Sequence, residues 1–133
     1  MIVGIGIDLT LVGRIENLML KFGKKFISKI FTKYEISCAN QKKSLALKSM
    51  FYAKRFSAKE AFSKASGLGI GRGINFLDIE ISNDSFGAPR ITILNGGQEF
   101  LKQHFNCNNL QIHLSLTDEN QMAMAQVIIE KIS

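Results

Sequence analysis

Tryptophan is absent from this chain of 133 residues, which also contains only one proline, two histidines and two cysteines. The cysteines, Cys38 and Cys107, form no metal-ligand spacing, so we expect unpaired thiols in a reducing cytosol. No apolar run reaches the roughly 20 residues that cross a bilayer. The apolar start lacks a basic leader, so we expect no secretory signal. These absences predict a cytoplasmic protein without a membrane span.

Length and charge predict one globular domain with an acidic or phosphorylated partner. A chain of this length can bury a core, and we expect a single domain over residues 1–133. The net charge of +6, from 17 basic and 11 acidic residues, favours nucleic acid, a phosphorylated cofactor or an acidic protein. Nucleic acid is the weakest of these, because exposed aromatic residues do not alternate with Arg and Lys.

Hydrophobic spacing predicts an α+β fold, in which a mainly antiparallel sheet packs against one long helix and shorter helices. We expect strands over residues 2–9, 76–82, 90–94, 110–117 and 121–132. We expect helices over residues 11–22, 44–66 and 95–105, with short helices between 24 and 40. Thr10 and Gly67 are the predicted caps of the first and the long helix. The last strand is apolar on both faces, which predicts a central position.

The first strand ends in an aspartate that could bind a ligand. Gly4, Gly6 and Asp8 lie on one face, opposite the apolar residues at 3, 5, 7 and 9. The two glycines leave space on that face, so we expect something bulky to approach the carboxylate. The alternative is a turn or cap residue, since such a carboxylate readily accepts backbone N–H groups.

The long helix contains a second carboxylate with cations around it. Ser57, Glu60 and Lys64 share one face because they are three and four residues apart. The neighbouring basic residues are Lys54, Arg55 and Lys59. This pattern is typical of a metal bound together with phosphates. The alternative is a Glu60–Lys64 surface pair, which contributes about 0.3–0.5 kcal/mol.

Asp8 and Glu60 together would suit Mg²⁺, which prefers hard oxygen ligands and is often held by one or two carboxylates plus phosphates. Mn²⁺ accepts the same ligands and stays open. The glycine run 67–73 lacks the GK[ST] ending of a P-loop, and we interpret it as a cap and connector. His113 lies on a polar strand face, where it is either structural or a phosphate donor.

The first helix carries a basic stripe that could dock an acidic helix of a partner. The stripe consists of Arg14, Leu18, Lys21 and Lys25, which follow at i, i+4, i+7 and i+11. An ordinary solvated face is an equal alternative. A pure interaction module that uses this face is a rival to an enzyme.

Four segments resemble the holo-acyl-carrier-protein synthases, which are small phosphopantetheinyl transferases. They are GIGID (4–8) followed by RIE (14–16), RFSAKEAFSKA (55–65), NDSFGAP (83–89) and HLSLTD (113–118). The segments occur in the family's order and span nearly the whole chain. Two positions depart from the family's pattern: Ala88 replaces the lysine of a GKP turn, and SGLG (66–69) replaces FGTG.

The resemblance implies transfer of 4'-phosphopantetheine from coenzyme A to a serine of apo acyl carrier protein, with adenosine 3',5'-bisphosphate leaving, in support of fatty-acid biosynthesis. It implies that Asp8 and Glu60 bind magnesium and that Lys64 acts on the leaving phosphate. The base that deprotonates the serine is either Glu60 or a metal-bound water. Carrier domains of secondary metabolism are the alternative acceptors.

The resemblance also implies which residues bind coenzyme A and which contact the carrier protein. The residues expected to hold coenzyme A are Arg55, Lys64, Gly87, Pro89 and His113. Arg14 is expected to meet acidic residues of the carrier protein. The family implies a homotrimer whose active sites lie between subunits.

Overall fold

Five strands and five α-helices make up the fold of residues 1–133, all of which the computed structural model describes. The first half comprises β1 (Ile2–Leu11), α1 (Val12–Phe22), α2 (Lys24–Ile30), α3 (Lys33–Ala39) and α4 (Leu45–Ser66). A 3₁₀ turn (Phe76–Asp78) precedes β2 (Ile79–Asn83), β3 (Pro89–Ile93), α5 (Gly97–His104), β4 (Leu110–Glu119) and β5 (Met122–Lys131). No helix is both long enough and apolar enough to cross a membrane.

The strands form two antiparallel sheets, one in the order β1-β5-β4 and one made of β2 and β3. The predicted α+β class and the central position of the last strand are confirmed. Helix α4 packs across β1 and β5, and its alanines and Phe62 form a core with the apolar residues of β5. A second core joins α4 to α1, α2 and α3.

The glycines of β1 allow close contact with α4. A Cβ added to Gly4 would lie 1.9 Å from the carbonyl oxygen of Ala65, and one added to Gly6 would lie 1.9 Å from that of Ala61. The bulky object expected at this face is therefore helix α4 itself. The opposite, apolar face of β1 is exposed. This contact places the end of β1 beside the middle of α4.

Helix α4 begins and ends within one residue of the range expected from the sequence. Ser44 accepts a hydrogen bond from the backbone N–H of Leu47 at 3.1 Å, and Gly67 ends the helix in the left-handed conformation at φ 75°. The predicted cap of α1 is wrong, because β1 continues to Leu11 and Thr10 lies within the strand. Residues 76–78 form a 3₁₀ turn and not the start of a strand, since the carboxylate of Asp78 accepts the N–H of Asn75.

A buried ion pair connects α4 to the shorter helices. Lys59 and Glu35 are both fully buried, and the ammonium lies 2.7 Å from Glu35 Oε1. Glu35 Oε1 also accepts the N–H of Thr32, and its Oε2 accepts the N–H of Ile81. Lys59 was expected to add positive charge beside a phosphate site. That expectation is wrong, because the Lys59 ammonium is buried and paired with Glu35 in the protein interior.

Candidate active site

Asp8 lies at the centre of a polar cluster where β1 crosses α4. Its Oδ2 accepts the hydroxyl of Thr10 at 2.9 Å and lies 3.2 Å from the hydroxyl of Ser57. The Ser57 hydroxyl is also 2.9 Å from the carbonyl oxygen of Asp8. Lys64 donates to Asp8 Oδ1 at 3.2 Å and to the carbonyl of Ile7 at 2.9 Å. Thr10 on β1 and Ser57 and Lys64 on α4 thus contact one carboxylate from two elements.

Glu60 is half-buried beside Asp8, and the negative charge of Asp8 repels its carboxylate. Burial raises the pKa of the Glu60 carboxyl, and repulsion from Asp8 raises it further, while Lys64 and Arg14 partly offset both effects. Lys64 forms its ion pair with Asp8, so the alternative of a Glu60–Lys64 surface pair is wrong. Two carboxylates that repel each other make a region where a cation is favoured.

The donor set fits a hard divalent cation that brings its own additional ligands. No group of three or more His, Cys, Asp or Glu side chains is close enough to hold a metal. The protein carboxylates at this site are those of Asp8 and Glu60. Magnesium commonly uses one or two carboxylates together with waters and substrate phosphates. The two carboxylates fit that mode of binding.

Arg55 is held at the turn between β2 and β3. Its guanidinium lies 4.0 Å above the ring of Phe51 and donates to Asn83 Oδ1. Asn83 in turn donates to the carbonyl of Gly87 at 2.9 Å. Only 7% of Arg55 is exposed, and its Nε is buried without a partner. Burial lowers the pKa of Arg55, and the unpaired donor favours an anionic ligand here.

The turn that contains Gly87 and Pro89 is rigid. Asp84 Oδ1 accepts the N–H groups of Phe86 and Ala88, both at 2.9 Å, and these bonds lower the pKa of Asp84. Gly87 has φ 85°, a conformation that glycine adopts without strain. A cavity of about 260 Å³ lies beside Arg55 and Asn83, lined also by Lys42, Leu47, Met50, Phe51 and Lys54.

His113 is not brought to the carboxylates within one chain. It lies on β4, and the whole of β5 separates that strand from β1 and Asp8. Its Nε2 is 3.0 Å from Glu130 Oε1. Lys54, which was expected near the phosphates, pairs with Asp118 at 2.5 Å while still lining the cavity beside Arg55.

The basic stripe expected on the first helix is divided between two helices, because α1 ends at Phe22 and Lys25 lies on α2. Leu18 and Lys25 line a cavity of about 360 Å³ together with Phe22, Phe26 and Lys29. Lys21 and Lys25 are exposed, and Lys21 lies 5.3 Å from the centre of the Phe22 ring. Arg14 is at the end nearer the carboxylates, with its guanidinium 5.5 Å from the ring of Phe56. The surface therefore combines apolar side chains with positive charge.

Two site-supporting residues were missed from the sequence. Thr10 lies two positions after Asp8 on the same strand face, a period-two signal that its assignment as a helix cap obscured. Glu35 belongs to a capping box with Thr32, and that spacing is visible in the sequence. Its pairing with Lys59, which lies 24 residues further along the chain, has no local signal.

Comparison with known proteins assigns the class. Residues 4–125 match the 4'-phosphopantetheinyl transferase superfamily. Because this match covers most of the chain, the protein belongs to that superfamily.

Within the superfamily, the relatives are holo-acyl-carrier-protein synthases, which confirms the resemblance. The chain is 41% identical over 131 residues to the holo-[acyl-carrier-protein] synthase of Ehrlichia ruminantium (strain Welgevonden), covering 98% of both chains. It is 44% identical over 131 residues to that of Bartonella henselae, covering 98% of this chain and 96% of the relative. These matches extend over almost the whole sequence.

Solved structures of such synthases share the fold. One from Bacillus anthracis, in complex with CoA (3',5'-ADP), has a TM-score of 0.80 and 40% identity, and covers 99% of both chains. One from Helicobacter pylori, in complex with coenzyme A, has a TM-score of 0.79 and 31% identity, covering 95% of this chain and 99% of the other.

Proposed function

We propose that this protein transfers 4'-phosphopantetheine from coenzyme A to a serine of apo acyl carrier protein in the cytoplasm, and so serves fatty-acid biosynthesis. The second product is adenosine 3',5'-bisphosphate. The observation that carries the proposal is the pair of half-buried carboxylates, Asp8 and Glu60, with Lys64 beside them. The complexes of relatives with coenzyme A support the choice of donor.

Asp8 and Glu60 would hold magnesium. A bound magnesium ion supplies positive charge to the pyrophosphate of coenzyme A, where negative charge develops on transfer. Lys64 would donate to the leaving phosphate, because its exposed ammonium already lies at the same carboxylate. Glu60 is a candidate base for the serine, because its carboxylate lies in the same cluster as Asp8 and Lys64.

Arg55 and the turn at Gly87 and Pro89 would hold the nucleotide end of coenzyme A. The buried guanidinium with an unpaired Nε suits a phosphate, because a charge-assisted hydrogen bond would satisfy the orphaned donor. Ala88 offers no charge at this turn, so Arg55 carries more of the attraction. Lys42 lines the same cavity and adds positive charge, whereas the charge of Lys54 is offset by Asp118.

The surface of α1 and α2 would dock the carrier protein. Arg14, Lys21 and Lys25 offer positive charge to an acidic helix, while Leu18 offers apolar contact. Arg14 lies close enough to Glu60 to affect its pKa. A carrier docked here would therefore have its serine near the carboxylates.

A homotrimer would complete the site with residues from a neighbouring subunit. Ile5, Ile7 and Leu9 are 60%, 54% and 54% exposed on one sheet face, more apolar surface than a solvated strand normally shows. Ile5 and His113 both pair with Ile128, so all three lie on this same face. Contact between subunits through this face would bring His113 toward another chain's coenzyme A.

Release of adenosine 3',5'-bisphosphate tests the catalytic assignment. The protein is mixed with coenzyme A, apo acyl carrier protein and Mg²⁺, and the nucleotide is measured by chromatography with and without EDTA. We expect release that EDTA abolishes, and loss of at least 100-fold in Asp8→Asn and Glu60→Gln, since each removes a charge that stabilises the reaction. Glu99→Gln, at an exposed position of α5 away from the site, is the matched control.

Two outcomes would contradict the assignment: full activity in either site variant, or activity that is unaffected by EDTA. The oligomer is tested separately by light scattering, where the trimer predicts three times the chain mass of 14.8 kDa. A monomer mass at active concentrations would remove the proposed role of His113.

A further inference from the structure

Two buried hydroxyl groups converge on one oxygen of Asp8. Thr10 is 1% exposed on β1 and Ser57 is fully buried on α4. The Thr10 hydroxyl donates to Oδ2 at 2.9 Å, and the Ser57 hydroxyl lies 3.2 Å from Oδ2 and 2.9 Å from the Asp8 carbonyl oxygen. Neither hydroxyl has another acceptor. Asp8 is therefore the only residue to which these two hydroxyls donate.

The two oxygens of Asp8 are in different environments. Oδ2 lies on the buried side with both hydroxyls, whereas Oδ1 is 3.2 Å from the ammonium of Lys64, whose side chain is 56% exposed. An aspartate carboxylate rotates easily about its last bond unless donors hold it. Thr10 donates to Oδ2, and the single proton of Ser57 is shared between Oδ2 and the Asp8 carbonyl oxygen, so Oδ1 is the oxygen that remains available to a cation.

We propose that Thr10 and Ser57 are positioning residues that orient Asp8 so that Oδ1 alone faces the cation. This inference rests on the proposed role of Asp8 as a magnesium ligand. Hydrogen bonds behind a ligand fix its orientation, and losing such a partner typically lowers metal affinity by about 10- to 100-fold. The ammonium of Lys64 also contacts Oδ1, on the more exposed side of the carboxylate.

Binding of Mn²⁺, measured by electron paramagnetic resonance on the full chain without coenzyme A, tests the inference apart from activity. Thr10→Val keeps the shape of a buried side chain and removes only the hydroxyl. We expect Thr10→Val and Ser57→Ala each to weaken Mn²⁺ binding by about 10-fold or more. Thr10→Ser restores the hydroxyl and should bind nearly as well as the wild type.

Thr92→Val on β3 is the matched control, since it makes the same change on an exposed strand position away from Asp8. Thermal unfolding of each variant confirms that the fold is kept. Wild-type affinity in both Thr10→Val and Ser57→Ala would overturn the inference while leaving the metal site intact. Failure of Thr10→Ser to restore binding would also overturn it, by showing that the methyl group matters instead. Absence of Mn²⁺ binding by the wild type would remove the metal site and this inference together.

Discussion

Replacing Lys59 with methionine is expected to destabilise the protein strongly, although Lys59 touches no substrate. The ammonium donates to Glu35 Oε1 and to the carbonyl of Ile30, both at 2.7 Å, and to the carbonyl of Phe76 at 3.1 Å. Methionine fills similar space but donates nothing. Glu35 would then stay buried with only the backbone N–H groups of Thr32 and Ile81 as partners.

The expected cost follows from the burial of both charges. Lys59 and Glu35 are fully buried, so solvent screens neither of them. Burial lowers the pKa of Lys59, and attraction to Glu35 opposes that shift, so the pairing offsets part of the desolvation of the ammonium. Removing one partner of such a pair typically costs about 3–5 kcal/mol, because the remaining charge is left uncompensated. That is a large part of the roughly 5–15 kcal/mol by which a domain is stable.

Urea unfolding followed by circular dichroism measures this cost. All variants are compared at one protein concentration, because assembly also contributes to apparent stability. Lys33→Met is the control: the same change at an exposed position of α3, expected to stay within about 0.5 kcal/mol of the wild type. A cost below about 1 kcal/mol for Lys59→Met would refute the reasoning, since it would mean that Glu35 is solvated or otherwise compensated.

Three further predictions concern β1 and the site. Gly6→Ala is expected to destabilise the protein by about 1–3 kcal/mol or more, because its Cβ would lie 1.9 Å from the Ala61 carbonyl oxygen; normal urea unfolding would contradict the close packing. Glu60→Gln is expected to unfold at higher urea than the wild type at pH 7 in EDTA, because the raised pKa means that the charged form costs free energy in the fold. This advantage should shrink as the pH falls through the raised pKa toward the ordinary value of 4.5, and its absence at pH 7 would contradict a pKa raised by burial and by repulsion from Asp8. Arg55→Ala should raise the KM for coenzyme A by about 10-fold or more, and an unchanged KM in steady-state assays would remove Arg55 from the nucleotide end.

Much of the fold could be predicted because its signals are local. The two-residue alternation of β4, the apolar faces of β5 and the helical composition of α4 all depend on neighbours in the sequence. The caps Ser44 and Gly67 are local in the same sense. What could not be predicted is which face of β1 is buried, because apolar residues lie on one face and glycines on the other. The glycine face is the buried one, because α4 packs closely against it.

The site, like the fold, contains some residues that sequence patterns predict and some contacts that only the packing of distant segments decides. Family motifs pointed to Asp8, Glu60, Lys64 and Arg55, and the structure places the first three together and Arg55 at the β2–β3 turn. Ser57 was placed on the same helix face as Glu60 and Lys64, but its contact with Asp8 was not recognised, because the two residues are 49 positions apart and the contact depends on how β1 crosses α4. Lys59 was misassigned for the same reason: a helical pattern does not show which cations are buried. His113 stays a prediction that depends on a neighbouring subunit.

The most direct test of the central claim is the intact mass of an apo acyl carrier protein after incubation with this protein, coenzyme A and Mg²⁺. The account predicts a gain of one phosphopantetheine per carrier, which is lost when the carrier serine is replaced by alanine or when EDTA is added. An unchanged carrier mass with folded, concentrated protein across several carrier proteins would contradict it.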